Sequence, residues 1–106
     1  MASLRQYETD TFRRWLSRLK DRQAKGRIVA RISRLLAGLP GDVKGVGQGV
    51  SELRIDIGPG YRVYFHQQGD QWVLLLIGGD KGSQATDIKV AQKLLKAWRS
   101  EYGQDS

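Results

Sequence analysis

The sequence predicts an α+β fold: a small, mostly antiparallel β-sheet with an N-terminal helical hairpin and a C-terminal helix. Three observations support this prediction. Apolar residues recur at helical spacing near both ends of the chain, they alternate with polar residues in the middle, and glycine-rich segments separate these regions. The length of 106 residues suits one domain with one core. We therefore expect a single domain over residues 1–106 with the element order β-α-α-β-β-β-α.

The first 40 residues predict a short strand followed by two helices. Residues 4–8 are a weak strand candidate, and Asp10 and Asp21 each precede a helical repeat of apolar residues as N-terminal caps. Gly38 and Pro40 end the second helix, in the usual order of a glycine followed by a proline. The apolar faces carry Phe12, Trp15, Leu16 and Leu19 in the first helix and Ile28, Ile32, Leu35 and Leu36 in the second.

The middle of the chain predicts a β-hairpin. Residues 38–49 contain five glycines and a proline and are interpreted as a loop; apolar and polar residues then alternate on both sides of a turn at residues 58–60. A three-residue turn keeps the apolar residues on one face. The expected pairs are Ile57–Tyr61, Ile55–Val63 and Leu53–Phe65. The polar face is then expected to carry Asp56 opposite Arg62, Arg54 opposite Tyr64, and His66.

The last third of the chain predicts a central strand and a helix. Residues 71–77 are apolar at successive positions, which is typical of a strand covered on both faces. Residues 78–82 form a loop, and Ser83 can cap the final helix. The apolar face of that helix is expected to bury Ile88, Ala91, Leu95, Trp98 and Tyr102.

The composition excludes several classes of protein. The chain has no cysteine, which excludes a disulfide scaffold and a thiol nucleophile, and its one histidine argues against a structural zinc site. The first residues lack the apolar core of a signal peptide, and the longest apolar run, residues 72–77, is far short of a membrane span. We expect a cytoplasmic domain with no metal, no cofactor and no membrane contact.

The net charge of +7 indicates a polyanion or an acidic protein as partner. Residues 1–40 hold ten basic and three acidic residues, whereas residues 41–80 hold three and five. The excess of positive charge therefore lies in the N-terminal helices. It forms either a solvated surface or a surface that binds RNA through its phosphates. The candidate RNA-binding residues are Arg13, Arg14, Arg18, Lys44 and His66.

The common catalytic constellations are missing from the sequence. There is no G-x-S-x-G motif, and a single histidine cannot form a histidine pair. The glycines at residues 45–49 precede a strand rather than follow one, so we interpret them as a loop and not as a nucleotide site. His66 is more often a surface or strand-edge residue than a catalyst.

Three isolated basic residues, Arg54, Arg62 and Lys81, are the main candidates for chemistry. The structural explanation is an ion pair of Arg62 with Asp56, stacking of Arg54 on Tyr64, and an ordinary loop lysine. The functional explanation is that three cations on one sheet surface hold a phosphate and neutralise charge developing on it. Metal-free RNA cleavage needs little more, because the 2′-hydroxyl of RNA supplies the nucleophile. Arginines near Tyr64 would lower its pKa, which makes Tyr64 the fourth catalytic candidate.

Several motifs together resemble the addiction-module killer proteins, HigB-like toxins of bacterial type II toxin–antitoxin systems in the RelE/ParE superfamily. The resemblance covers about residues 4–102 and is most specific from residue 52 to residue 65, joined to residues 79–81. The motifs are Asp42-Val43-Lys44, Val50-Ser51-Glu52-Leu53-Arg54, Gly58-Pro59-Gly60-Tyr61-Arg62-Val63-Tyr64-Phe65 and Gly79-Asp80-Lys81-x-x-Gln84-x-x-Asp87-Ile88.

The resemblance implies a ribosome-dependent, metal-independent endoribonuclease that cleaves mRNA and inhibits translation. It also implies a HigA-like antitoxin with a helix-turn-helix domain, and operator DNA bound only through the antitoxin complex. The basic positions that match are Arg54, Arg62 and Lys81. The lysine pair of the best-known relatives is absent, and Tyr102 replaces their C-terminal tyrosine. Two alternatives stay open: a ParE-like toxin that inhibits DNA gyrase by binding, and a plain nucleic-acid-binding module.

Overall fold

The computed structural model describes residues 3–102, and it confirms the α+β class with a five-stranded, mostly antiparallel sheet and three α-helices. The sheet order is β1-β5-β4-β3-β2, with β1 parallel to β5 and the other neighbours antiparallel. A 3₁₀ turn, Lys81–Ser83, joins β5 to α3. The elements are β1 (Arg5–Glu8), α1 (Asp10–Arg18), α2 (Arg22–Leu36), β2 (Val43–Gly47), β3 (Val50–Ile55), β4 (Tyr61–Gln68), β5 (Trp72–Asp80) and α3 (Gln84–Glu101).

The predicted element order lacks one strand, because β2 lies in the segment that was expected to be a loop. Val43 pairs with Leu53 and Gly47 with Val50, across a bulge between Gly45 and Gly47. The β2–β3 turn has positive φ at Gly47, Gln48 and Gly49, a conformation that the two glycines adopt at little cost. Pairing with β3 thus overrides the weak intrinsic strand preference of a glycine-rich segment.

The expected helical hairpin is matched only in part. Both N-terminal helices cover the same side of the sheet, but α1 packs mainly on β5 and α2 on β3. Asp21 caps α2, as predicted, by accepting from the backbone N–H groups of Gln23 and Ala24. The cap of α1 is Thr9 and not Asp10: its hydroxyl accepts from Phe12 N and lies 2.6 Å from the carbonyl oxygen of Leu76.

The β3–β4 register differs from the predicted one by two residues. Ile55 pairs with Tyr61 and Leu53 with Val63, so the connection has five residues, 56–60, rather than three. The backbone N–H of Gly60 closes this turn by donating to the carbonyl of Ile57. Because the shift is an even number, the apolar residues keep the predicted face. The polar partners change: Arg54 lies opposite Arg62, Glu52 lies opposite Tyr64, and Asp56 is exposed in the turn.

Two apolar cores lie on opposite sides of the sheet. The first packs α1 and α2 on one face, and the second packs α3 on the other, the face on which the β3–β4 hairpin was expected to carry polar residues. The second core buries Val50, Tyr64, Leu74, Leu76, Ala91 and Leu95. Tyr102 was expected to be buried with it; instead it is 54% exposed, because α3 ends at Glu101 beyond the sheet contact. Within residues 3–102, no helix is long and apolar enough to cross a membrane.

Candidate functional site

A buried carboxylate, that of Glu52, organises one end of the sheet. Glu52 is fully buried in the middle of β3. Arg54 Nε donates to its Oε1 at 3.0 Å, and the Tyr64 hydroxyl and Gln84 Nε2 donate to its Oε2 at 3.0 and 2.8 Å. The donors come from β3, β4 and the first residue of α3, so the carboxylate joins three elements. We call these residues, with Arg62, the Glu52 cluster.

Arg62 lies deeper in this cluster than Arg54. Its Nε is 3.9 Å from Glu52 Oε2, and its Nη1 donates to the carbonyl of Tyr61 at 3.2 Å. The side chain of Arg62 is 12% exposed, against 33% for Arg54. The buried Nε of Arg62 makes no hydrogen bond to residues 3–102, and an unsatisfied buried donor costs stability. Arg54 is therefore the more accessible cation of the two.

The observed strand register explains why Glu52 is needed. Arg54 and Arg62 are direct cross-strand neighbours, and like charges in that position repel. The Glu52 carboxylate contacts both guanidinium groups and offsets the repulsion. One carboxylate against two guanidinium groups leaves an excess of positive charge, so the cluster can still attract an anion.

Burial by itself would raise the pKa of Glu52, but the groups around it reverse the effect. Hydrogen bonds from Arg54, Tyr64 and Gln84, with the positive charge of Arg62, lower the pKa of Glu52 below its ordinary value. The pKa of Arg54 is raised, chiefly by its hydrogen bond to Glu52. Both charges of this pair are therefore maintained at neutral pH.

Tyr64 does not have the properties expected of a catalytic base. It is fully buried, and its hydroxyl is the donor to Glu52. Burial, the hydrogen bond to Glu52 and the charge of Glu52 raise the pKa of Tyr64 well above its ordinary value. The expectation of a lowered pKa is wrong, because the nearest charge to the hydroxyl is the carboxylate and not a guanidinium group. Tyr64 holds Glu52 in position.

Two lysines lie beside the cluster. Lys81 is exposed at the start of the 3₁₀ turn after β5. A Cβ placed on Gly60 would lie 3.5 Å from Lys81 Cβ and 3.7 Å from Arg62 Nη1, so both side chains border the β3–β4 turn. Lys44 is exposed on β2, directly opposite Glu52. Arg54 and Arg62 are thus cross-strand neighbours, Lys81 borders the same turn as Arg62, and Lys44, a candidate RNA-binding residue, lies opposite Glu52.

The arginines of α1 are not part of this cluster. Arg13 is exposed and forms an ion pair with Asp10 one turn away on the same helix. Arg14 and Arg18 are exposed beside a cleft between α1 and the end of β5. The three arginines therefore lie on α1, which packs on β5, whereas Arg54 lies on β3.

His66 is held at the far end of β4. Its Nδ1 lies 2.7 Å from the carbonyl oxygen of Gly49, which can only accept, so Nδ1 carries the hydrogen. Its Nε2 lies 3.0 Å from Gln68 Oε1. The side chain is 8% exposed. This arrangement supports the β2–β3 turn rather than an RNA contact.

Sequence reasoning missed Glu52, Gln84 and Asp87 as site residues. Glu52 has the same strand parity as Arg54, which is the signal that could have identified it. Gln84 and Asp87 begin α3, and Asp87 accepts from the Ser83 hydroxyl at 2.5 Å. Their position against the sheet depends on how α3 packs, which spacing along the chain does not indicate. Residues 3–102 contain no group of three or more His, Asp or Glu side chains that could hold a metal.

The fold and the cluster define a class: a small α+β protein whose sheet end holds two arginines around a buried glutamate. The chain is 55% identical, over 86 residues, to an uncharacterized protein of Haemophilus influenzae strain Rd; the match covers 81% of this chain and 87% of that protein. The chain belongs to the same family as this Haemophilus influenzae protein. No family model matches the chain.

Proposed function

We propose that the chain is the toxin of a type II toxin–antitoxin system and acts as a ribosome-dependent, metal-independent endoribonuclease on mRNA. The observation that carries the proposal is the placement of Arg54 opposite Arg62, with Lys81 beside the same β3–β4 turn as Arg62. The expected partners are a HigA-like helix-turn-helix antitoxin, the ribosome with its mRNA, and operator DNA through the antitoxin complex. The resemblance of residues 42–88 to HigB-like toxins supports the same proposal.

The roles follow from accessibility. The RNA 2′-hydroxyl loses its proton to water, and its oxygen attacks the phosphorus to form a 2′,3′-cyclic phosphate. The bond to the 5′-oxygen breaks, that oxygen takes a proton from water, and negative charge accumulates on the phosphate oxygens in the transition state. Arg54 and Lys81, which are partly or fully exposed, contact those oxygens. Arg62 adds its charge from a more buried position, and Lys44 guides the RNA backbone toward the cluster. Tyr64 and Glu52 position the arginines.

The direct test is mRNA cleavage on purified ribosomes, mapped at nucleotide resolution. Arg54→Ala and Lys81→Ala are each expected to lower the cleavage rate at least about 100-fold, the effect of removing one donor that stabilises developing charge. Lys93→Ala is the matched control: it removes an exposed lysine of α3, outside the cluster and outside the candidate RNA-binding residues, and should cleave like the wild type. Thermal unfolding verifies that each variant folds. Wild-type cleavage by both Arg54→Ala and Lys81→Ala would show that the site lies elsewhere.

One observation favours a second candidate, a ParE-like toxin that inhibits DNA gyrase by binding. The buried Tyr64 hydroxyl is unavailable as a proton acceptor, and a binding toxin needs none. A supercoiling assay with purified gyrase separates the two functions. Inhibition of gyrase at protein concentrations that leave ribosome-bound mRNA intact would favour the second candidate; mRNA cleavage without inhibition of gyrase would favour the first.

A further inference from the structure

A cleft of 690 Å³ opens between α1, the end of β5 and the start of α3. Its volume lies within the range of small-molecule sites. The cleft exists because β1 pairs only with residues 72–75 of β5. Beyond that point α1 runs beside the strand, attached through Thr9 to the carbonyls of Leu75 and Leu76. The lining residues that matter here are Arg14, Trp15, Arg18, Tyr61, Asp80 and Asp87.

An aromatic wall is fixed on one side of the cleft. A Cβ on Gly78 would overlap the ring of Trp15, so the indole lies directly on the backbone of β5. Tyr61 meets Trp15 at an angle of 65° with ring centroids 6.4 Å apart. Both aromatic residues are partly exposed. Partly exposed rings in fixed positions are suited to stacking a planar ligand.

The positively and negatively charged groups of the cleft lie on different sides of it. Arg14 and Arg18 are exposed one helical turn apart on α1. Asp80 and Asp87 lie at the end of β5 and the start of α3. Each carboxylate has one oxygen bonded locally, Asp80 to Gly82 N and Asp87 to the Ser83 hydroxyl, and each has a second oxygen. A ligand that spans the cleft therefore meets cations at one side and carboxylate acceptors at the other.

We propose that this cleft binds a nucleotide whose base carries an exocyclic amino group. The phosphate of such a ligand pairs with the two arginines, the base stacks on the aromatic wall, and the amino group donates to a carboxylate. Uracil presents a carbonyl oxygen where cytosine has its amino group. A carboxylate repels that oxygen, so the cleft discriminates between the two pyrimidines.

The cleft also adjoins the Glu52 cluster. Gly79 pairs with Arg62 across the β4–β5 ladder, and a Cβ on Gly79 would overlap the carboxylate of Asp87. A nucleotide in the cleft is thus next to the phosphate held by the cluster. The assignment of the ligand as an mRNA nucleotide beside the cleaved bond rests on the proposed function; the binding of a nucleotide does not.

The test is titration of the isotope-labelled protein with 5′-CMP and 5′-UMP, followed by NMR. These probes share ribose, phosphate and ring size and differ at the exocyclic group. We expect CMP to shift the Trp15 indole N–H and the amides of Gly78 and Gly79, with affinity at least about fivefold higher than that of UMP. Arg18→Gln should weaken CMP binding about two- to fivefold, while Arg27→Gln, an exposed arginine of α2 outside the cleft, should not.

Three results would overturn the proposal: no response of the Trp15 indole at millimolar CMP, equal affinities for CMP and UMP, or equal effects of the two arginine variants. The assay requires no cleavage, so its outcome is independent of the nuclease test. If the protein binds CMP in the cleft but leaves mRNA intact, the nuclease proposal is refuted and the nucleotide-binding proposal stands. If the protein cleaves mRNA but does not bind CMP, the nucleotide-binding proposal is refuted and the nuclease proposal stands.

Discussion

The arginines of α1 and the arginines of the sheet show how differently the same side chain is used in two regions. Arg13, Arg14 and Arg18 are exposed, and one of them pairs with an acid on its own helix. Arg54 and Arg62 lie opposite each other on neighbouring strands and share a buried carboxylate. Helix α1 exposes three arginines within nine residues, whereas the sheet holds its few charges in fixed positions. Position rather than number of cations locates the site.

The largest effect on stability is expected from Glu52→Ala. Removing a buried carboxylate leaves Arg62 partly buried without its counter-charge and next to Arg54, at a cost of about 3 kcal/mol in the free energy of unfolding. Urea denaturation measures the change. Asp56→Ala is the control, because this aspartate is exposed in the turn, and it should change stability by less than about 0.5 kcal/mol. Equal effects of both variants would mean that Glu52 is not the centre of the cluster.

Glycine-to-alanine substitutions should change the free energy of unfolding in opposite directions in the sheet and in a helix. Gly78→Ala pushes a methyl group into the Trp15 ring and should destabilise the protein by about 1–3 kcal/mol. Gly26→Ala in α2 meets no atom within 4 Å and should stabilise it by about 0.5–1 kcal/mol. Thermal unfolding of both variants checks the pair. A neutral Gly78→Ala would show that the indole does not lie against the strand.

Acid should lower the stability of the wild-type protein by protonating Glu52. The folded state lowers the pKa of this carboxyl, so its contribution to stability is fully present above the unfolded value of about 4.3 and is lost as the pH falls through the lower folded value. Glu52→Gln has no such proton to bind. The stability difference between wild type and Glu52→Gln should therefore shrink as the pH falls below about 4. A constant difference from pH 7 to pH 3 would contradict the lowered pKa.

The smallest effect is expected on α1. Arg13→Ala removes an exposed ion pair with Asp10 and should change the free energy of unfolding by less than about 0.5 kcal/mol. Urea denaturation at low and high salt measures it. A loss above 1 kcal/mol would mean that the helix surface is organised like the sheet cluster, and the contrast between the two regions would fail.

Particular residues show how far the sequence predicts the fold. Asp21 was identified as a cap, and the apolar faces of both N-terminal helices were assigned correctly, because these features depend on neighbours within one turn. β2 was missed, since its glycines form a strand only by pairing with β3. Thr9 replaced Asp10 as a cap because its side chain also reaches the carbonyl of Leu76, far along the chain.

The candidate site was predicted in part. Arg54, Arg62 and Lys81 were singled out from the sequence; the two arginines are cross-strand neighbours, and Lys81 lies with Arg62 beside the β3–β4 turn. The predicted pairing of Arg62 with Asp56 was wrong. The β3–β4 turn has five residues rather than the predicted three, and both lengths keep the apolar residues on one face. Parity along a strand determines the face but leaves any even shift open, so it could not identify the cross-strand partner.

The sequence by itself determined the class of fold, the faces of its strands and helices, and the three candidate cations Arg54, Arg62 and Lys81. These depend on residue type and on periodicity, which are local. Only the tertiary structure decided that Glu52 lies between two arginines, that Tyr64 is buried under α3, and that α1 leaves a cleft beside β5. The physical reason is that register and helix placement depend on packing between segments far apart in the chain, and local spacing is compatible with several such arrangements.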